Sequence, residues 1–215
     1  MRYIQKQEAP PEFTQWKEQN PLADYERLGK KASNKIKKIV HQSLLTEQGY
    51  ICCYCQRRID LNNSHIEHLK PKDENLYPEL ALDYNNLLAS CQKMNKKGEP
   101  RHCGSLKDNW YDEKLMVSPL EENCAEYFSY TVLGEILPSE NKKKNESAKT
   151  TIEKLGLDIR KLRSERRAAI EEFFTGIELS REDIEIYIRE FDKVNDEGQY
   201  DQFCNVLIYV LKKYF

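Results

Sequence analysis

The sequence predicts an α+β protein with a small metal-stabilised core between an N-terminal arm and helix and a C-terminal helical region. Four cysteines bracket a segment rich in histidine and asparagine, from Cys52 to Cys103, and two β-prone runs follow it. Apolar residues spaced three and four apart indicate helices on both sides of this segment. We therefore divide the chain into three units, covering residues 1–47, 48–140 and 141–215.

The composition is that of a polar chain that can still bury a core. Charged residues make up 33% and hydrophobic residues 39% of the sequence. The net charge is -2, so any contact with nucleic acid must depend on local basic patches rather than on a global field. The first 13 residues lack the apolar core of a signal peptide, and no window resembles a membrane span. With seven cysteines, we expect a reducing, cytoplasmic location without membrane contact.

The first unit begins as a proline-containing arm. We expect residues 1–22 to be extended and then briefly helical around Phe13–Gln19, with Phe13 and Trp16 as packing anchors. From about Ala23 to Thr46 the pattern predicts one helix with an apolar stripe, formed by Ile36, Ile39, Val40 and Leu44. The opposite face carries Lys30, Lys31, Lys35, Lys37 and Lys38. Such a run is most often a solvated face, and a phosphate-facing role is the alternative.

The second half of the chain predicts a hairpin and then helices. The run Tyr127–Val132, a glycine turn and Ile136-Leu137 indicate two short paired strands. Lys142, Lys143 and Lys144 form a polar boundary, after which a short helix around Ile152 and Leu155 ends at Gly156.

Three longer helices are expected beyond that glycine. The first has an apolar stripe from Ile159 to Phe173, and the second starts at Ser180 with a capping box completed by Asp183. The last runs from about Tyr200 to Tyr214. Its apolar face is too wide to stay in water, so it packs on the preceding helices or on another protein.

The cysteine spacing predicts a structural zinc site. Cys52 and Cys55 have the C-x-x-C spacing, which lets two thiolates reach one metal from a tight turn. Cys91 and Cys103 can complete the set, although eleven residues separate them. Four soft thiolates suit Zn²⁺, which is tetrahedral and has no redox chemistry.

Two alternatives to this zinc site stay open. Cys53 could replace Cys52 as a ligand, although Cys53 and Cys55 are less suitably spaced for one turn. The C-x-x-C cysteines could also be ordinary small buried residues. Cys124 and Cys204 fall outside the frame and are expected in the core.

A carboxylate and an imidazole stand side by side within the cysteine frame. Glu67 can hold a hard divalent cation such as Mg²⁺, and His68 can take a proton from water. Adjacent side chains of a strand point to opposite sides, so this pair must lie at a strand end or a bend to address one phosphate. Asn86 can hydrogen-bond to backbone and fix the loop that carries His68.

These residues together resemble the HNH endonuclease family, which has the ββα-metal fold. The shared pattern is C-x-x-C, then E-H-x-x-P, then N-L-x-x-x-C, over roughly residues 48 to 110. The resemblance implies that His68 is the general base, that Glu67 binds the catalytic Mg²⁺ or Mn²⁺, and that Asn86 is structural.

The end of the motif departs from the family pattern. The family closes with C-x-x-C followed by Asn or His and a Lys, whereas Met94 stands here at the second cysteine position. Either Asn95 or His102 can complete the catalytic metal site, and we favour His102. His65 is a candidate for phosphate contact. Local positive charge for nucleic-acid binding is expected from Lys93, Lys96, Lys97, Arg101 and Lys107.

A longer pattern narrows the resemblance. C-Y-C, H-I-E-H-L-K-P-K, L-D-Y-N-N-L-L-A-S-C and H-C-G-x-x-K are similar to HNH proteins of bacterial anti-phage systems, of the PtuB type found in Septu and retron-associated systems. This resemblance implies a nucleic-acid substrate, with DNA favoured, and a hetero-oligomeric complex with an ABC-type ATPase of the PtuA type. The rival hypothesis is a zinc-bearing nucleic-acid or protein-binding adaptor with a decayed catalytic site.

Overall fold

The computed structural model describes residues 1–73, 75–92, 98–176 and 179–215. Helices and small antiparallel sheets are both present in these ranges, as the α+β prediction requires. The helices are α1 Pro11–Gln19, α2 Tyr25–Gly29, α3 Asn34–Glu47, α4 Gly104–Lys107, α5 Lys142–Lys154, α6 Arg160–Phe174, α7 Arg181–Phe191 and α8 Cys204–Tyr214. The strands are β1 Ser64–His68, β2 Leu87–Cys91, β3 Phe128–Tyr130 and β4 Ile136–Pro138.

The N-terminal arm packs as expected, because α1 buries Phe13 and Trp16. The single helix predicted from Ala23 to Thr46 is wrong, since this region divides into α2 and α3. The Asp24 side chain caps α2 by accepting a hydrogen bond from the backbone of Arg27. After this short helix the backbone of Lys30 is extended, and α3 starts only after a 3₁₀ turn, Lys31–Ser33.

The first hairpin lies within the cysteine frame and carries the Glu67-His68 pair. Strand β1 pairs antiparallel with β2, with Glu67 opposite Leu88 and His68 opposite Leu87. Helix α3 packs against β1 and β2, and Val40, Leu44 and Leu45 are its buried apolar residues. Helix α4 follows on β2 and packs against that strand. The cysteine frame therefore folds as two strands followed by a short helix.

The second hairpin confirms the predicted pair of β-prone runs. Strand β3 pairs antiparallel with β4, with Tyr130 opposite Ile136. Gly134 in the turn has φ +79, and a Cβ there would overlap the backbone oxygen of Arg163 in α6. Arg166 of α6 is buried and donates from Nε to the carbonyl of Gly134. Glycine is needed because the turn lies directly against a helix.

The C-terminal helices are present, with corrected boundaries. Lys142, Lys143 and Lys144 form the first turn of α5 rather than a polar boundary, because Asn141 caps it by accepting a hydrogen bond from the backbone of Lys143. The capping box of α7 is confirmed, with Ser180 and Asp183 each accepting from the other's backbone. The last helix begins at Cys204, after Phe203 with φ +59, and not at Tyr200.

The apolar face of α8 packs within the chain. Its buried residues are Cys204, Val206, Leu207, Val210 and Leu211. They face α6, α7 and β3. Backbone contacts also join this region to the first cysteine turn, since Phe203 donates to the carbonyl of Gln56 at 3.0 Å. Within the described ranges, no helix has the length and apolarity that would let it cross a membrane.

Candidate functional site

Four buried thiols converge between the first hairpin and α4. The Sγ atoms of Cys52, Cys55, Cys91 and Cys103 all lie within 4.8 Å of one another. The Sγ atoms of Cys55 and Cys91 are 3.7 Å apart. A tetrahedral zinc site with Zn–S bonds of about 2.3 Å requires sulfur separations of about 3.8 Å. The four thiols therefore fit Zn²⁺.

Three separate segments supply these thiols. Cys52 and Cys55 lie in a tight turn closed by a hydrogen bond from Gln56 N to Cys52 O at 3.0 Å. Cys91 ends β2, and Cys103 immediately precedes α4. Although burial raises the pKa of the Cys52 thiol, hydrogen bonds from Cys103 and other neighbouring thiols outweigh it, so the pKa lies well below its ordinary value. This favours a thiolate, the form that binds metal, at Cys52, whereas the pKa of Cys91 and of Cys103 lies well above its ordinary value.

Two further cysteines, Cys124 and Cys204, are fully buried outside this cluster, as expected of core residues. Cys53, the alternative ligand, is buried beside Cys52 but is not a member of the group of four described above.

His102 lies against the cysteine cluster. Its Nδ1 is 3.3 Å from Cys103 Sγ and 3.6 Å from Cys91 Sγ. Its Nε2 is buried and has no hydrogen-bond partner within the described ranges. Burial lowers the pKa of His102 to about 4, so its ring is neutral at neutral pH. His102 was the favoured candidate to complete the catalytic metal site with Glu67, whereas its Nδ1 lies next to thiols of the cysteine cluster.

The Glu67 carboxylate is buried among three polar side chains. Its Oε1 accepts from Tyr54 OH at 3.3 Å and pairs with Lys107 Nζ at 3.2 Å. Its Oε2 lies 3.4 Å from His65 Nε2. Burial raises the pKa of Glu67, but the hydrogen bond from His65 and the charge of Lys107 outweigh it and lower the pKa below its ordinary value. The carboxylate is therefore ionised at neutral pH.

His65 and Glu67 point to the same face of β1, because side chains two residues apart in a strand share a face. Beside them, a Cβ on Gly104 would overlap Glu67 Oε2 and lie 2.9 Å from His65 Nε2. Glycine therefore leaves open the space beside the Glu67 Oε2 and His65 Nε2 atoms. Two ligands with bonds of about 2.1 Å to one Mg²⁺ or Mn²⁺ stand about 3.0 Å apart at right angles and farther apart at wider angles. The observed 3.4 Å fits such a pair.

His68 occupies the end of β1 and contacts a different set of groups. Its Nε2 donates to the carbonyl of Ala81 at 3.0 Å, and its ring meets the edge of Tyr25 with centroids 4.5 Å apart. Burial lowers the pKa of His68 to about 4. The ring is thus neutral at neutral pH, and because Nε2 carries the hydrogen, Nδ1 holds the lone pair that can accept a proton.

Lys107 is placed differently from the predicted phosphate contact. Its side chain is buried, and its Nζ donates to the carbonyl of His68 at 2.8 Å while pairing with Glu67. One ammonium group therefore holds both residues of the Glu-His pair. The reason is that α4 packs on β2 and directs Lys107 inwards.

Asn86 ties together the ends of the loop between β1 and β2. Its Oδ1 accepts from Lys70 N at 2.8 Å, and its Nδ2 donates to Lys70 O at 2.9 Å and to Leu80 O at 3.1 Å. The backbone of Leu69 donates to Asn86 O at 3.0 Å. These bonds fix the chain directly after His68.

The remaining predicted basic residues are only partly described. Arg101 is exposed. Lys93, Lys96 and Lys97, with the alternative ligand Asn95, lie outside the described residues.

Tyr54 and Gly104 contact this site but were not predicted as site residues. The contact between His65 and Glu67 could have been predicted, because the two residues are two positions apart on a β-prone segment and such residues share a face of a strand. The contact of Gly104 with that pair depends on tertiary packing and has no local signal.

A hairpin that presents a Glu-His pair, a short helix behind it and a four-cysteine cluster are features that resemble those of HNH endonucleases. No protein-family model matches the chain. The chain is, however, 37% identical over 139 residues to a protein of Vibrio cholerae named as a candidate HNH endonuclease of retron Vc95. It is 26% identical over 163 residues to the corresponding protein of retron Ec83 from Escherichia coli.

These matches cover 63% and 66% of this chain, and less than two thirds of each relative, at 65% and 63% of its length. The Septu protein PtuB of Bacillus thuringiensis is 38% identical over 65 residues, which are 29% of this chain and 24% of that protein. The resemblance inferred from the motifs is therefore confirmed: the chain is a homologue of HNH proteins from retron and Septu systems.

Proposed function

We propose that this chain is a metal-dependent HNH endonuclease that hydrolyses phosphodiester bonds, with DNA as the favoured substrate, in bacterial anti-phage defence. One observation carries the proposal. The ionised carboxylate of Glu67 faces His65 across a space left open by Gly104, and the neutral His68 follows it at the end of the same strand. The names of the retron and Septu relatives support this class of activity.

Each residue of the site has a distinct task. Glu67 and His65 would hold the divalent cation, Mg²⁺ or Mn²⁺, with His65 in place of His102. Once bound, that cation supplies a Lewis acid for the charge that develops on the phosphate and on the leaving oxygen. His68 takes the proton of the attacking water at Nδ1, while Ala81 O keeps the ring in one tautomer and orientation.

Two groups position the reacting residues. Lys107 holds the Glu67 carboxylate and the His68 carbonyl, and Asn86 fixes the loop that follows. Cys52, Cys55, Cys91 and Cys103 bind the structural Zn²⁺. We propose that this zinc keeps α4, and with it Gly104 and Lys107, against the hairpin in a ββα-metal core.

The similarity to Septu proteins supports a function in a complex with a partner protein. We propose that the chain acts in a complex with an ABC-type ATPase of the PtuA type, which restrains the nuclease until infection. A nuclease that resides in its host needs such a restraint.

The test is cleavage of plasmid DNA by the purified chain, with and without the neighbouring ATPase, in Mg²⁺ or Mn²⁺. Cleavage should be abolished in His68→Ala, because no other group replaces the base. Zinc content and melting temperature measured on the same preparation should match the parent. Cleavage by His68→Ala at the parental rate would exclude the assigned base. Absence of cleavage of both DNA and RNA in every combination would favour the adaptor with a decayed site.

A further inference from the structure

A basic groove leads to His68 from the side of α3. The groove has a volume of about 660 Å³, and His65 and His68 of β1 form part of its wall. Lys37 and Lys38 of α3 and Lys72 of the loop after β1 line the same space. No Asp or Glu is among the lining residues in the described part of the chain, although the sequence has 36 acidic and 34 basic residues. The groove is therefore a local positive patch on a chain of net negative charge.

Tyr25 connects two of these lysines to the reacting residue. The Nζ atoms of Lys37 and Lys72 lie 4.9 Å and 4.7 Å from the centroid of the Tyr25 ring, and the ring of His68 meets it edge-on. The two ammonium groups come from different segments and share one aromatic platform. The contacts of both ammonium groups with the Tyr25 ring thus hold positive charge next to the His68 imidazole.

We propose that this groove binds the phosphodiester backbone of the substrate, with Lys37, Lys38 and Lys72 contacting phosphates on either side of the bond that His68 addresses. This inference rests on the proposed nuclease function, and it states where the nucleic-acid substrate would lie on the protein. Lysines that contact phosphates position a nucleic acid without reading its sequence. For Lys37 and Lys38, the proposal favours the phosphate-facing role over the solvated face that the sequence predicts for the α3 lysines.

The test is a binding measurement that does not require cleavage. His68→Ala serves as the parent, and its affinity for fluorescent single- and double-stranded DNA and RNA oligonucleotides is measured by anisotropy without added Mg²⁺, over a range of salt concentrations. Adding Lys37→Ala, Lys38→Ala and Lys72→Ala should raise Kd at least about tenfold. The slope of log K against log salt should fall by about two to three, since each phosphate contact contributes about 0.9.

A matched control removes the same charge elsewhere. Lys142, Lys143 and Lys149 are exposed on α5. Their triple alanine variant should keep the parental affinity and salt slope. Equal losses in both triple variants, or an unchanged Kd in the groove variant, would overturn the proposed path, as would absence of nucleic-acid binding by the parent. Failure of the nuclease assignment would give a different result from failure of the groove proposal. In that case the unsubstituted chain would bind nucleic acid through the groove lysines but would not cleave it.

Discussion

The two-residue repeat of a strand decides which side chains share a site here. His65 and Glu67 meet on one face of β1, whereas the neighbouring His68 contacts Tyr25 and Ala81. Sequence reasoning recognised Glu67 and His68 from a linear motif, but it chose His102 as the companion of Glu67. The segment between Cys91 and Cys103 does not follow the family spacing, and linear spacing cannot show which histidine folds back towards the carboxylate.

Substitution of His65 and His102 separates their assigned roles. His65→Ala should raise the Mn²⁺ concentration needed for half-maximal cleavage by about 100-fold or more, because it removes a direct ligand, whereas loss of a group that only orients a ligand already costs about 10- to 100-fold. His102→Ala should leave that requirement unchanged, because its neighbours are the cluster thiols. The measurement is a metal titration of plasmid cleavage, with zinc content determined in parallel. The opposite pattern, a raised requirement in His102→Ala alone, would restore His102 as the ligand.

Helix α4 is only one turn long, yet it contributes a space as well as a side chain to the site. Gly104 does not have a positive φ, so the backbone can accept alanine and the helix gains propensity. The added Cβ would nevertheless displace the Glu67 carboxylate. We expect Gly104→Ala to lower kcat/KM on the order of 100-fold, as misplacement of a reacting group by about 1 Å does, and to lower the melting temperature much less than loss of a zinc ligand does.

Leu106→Ala is the control for this helix, since Leu106 is 40% exposed. It should keep parental cleavage. Parental cleavage by Gly104→Ala would contradict the use of the space beside Glu67.

The secondary-structure elements themselves were predictable where their signals are local. The capping box at Ser180 and Asp183, the glycine turn of the second hairpin and the arm around Phe13 are read from residues a few positions apart. The break at Lys30 was missed because the apolar stripe that predicts the helix starts only at Ile36, and the cap at Asp24 was not weighed. The start of α5 was missed because the Asn141 cap precedes lysines that carry no apolar period.

At the scale of the whole molecule, the cysteine cluster joins regions that have little regular structure of their own. The turn after α3, the end of β2 and the residue before α4 meet there. Loss of a ligand should therefore destabilise the chain strongly, because structural zinc contributes about 10 kcal/mol or more to folding in small domains. Cys91→Ser should lose stoichiometric zinc and lower Tm by more than about 10 °C.

Cys124→Ala is the comparison for this experiment, because Cys124 is equally buried but lies outside the cluster. It should retain one zinc per chain by atomic absorption and lower Tm much less. Equal zinc content in the two variants would argue against Cys91 as a ligand.

The hydrogen bonds of Asn86 across the base of the β1–β2 loop separate the loop tip from the reacting residues. Hydrogen bonds of Asn86 to Leu69, Lys70 and Leu80 close the loop at its base, while Asn75 and Leu76 in its outer part are exposed. Doubling the length of a flexible loop costs only about 0.6 kcal/mol in closure entropy. Insertions at this tip could therefore widen or narrow the approach to His68 while the reacting groups stay in register, which makes the tip a natural position for grafting new substrate preference.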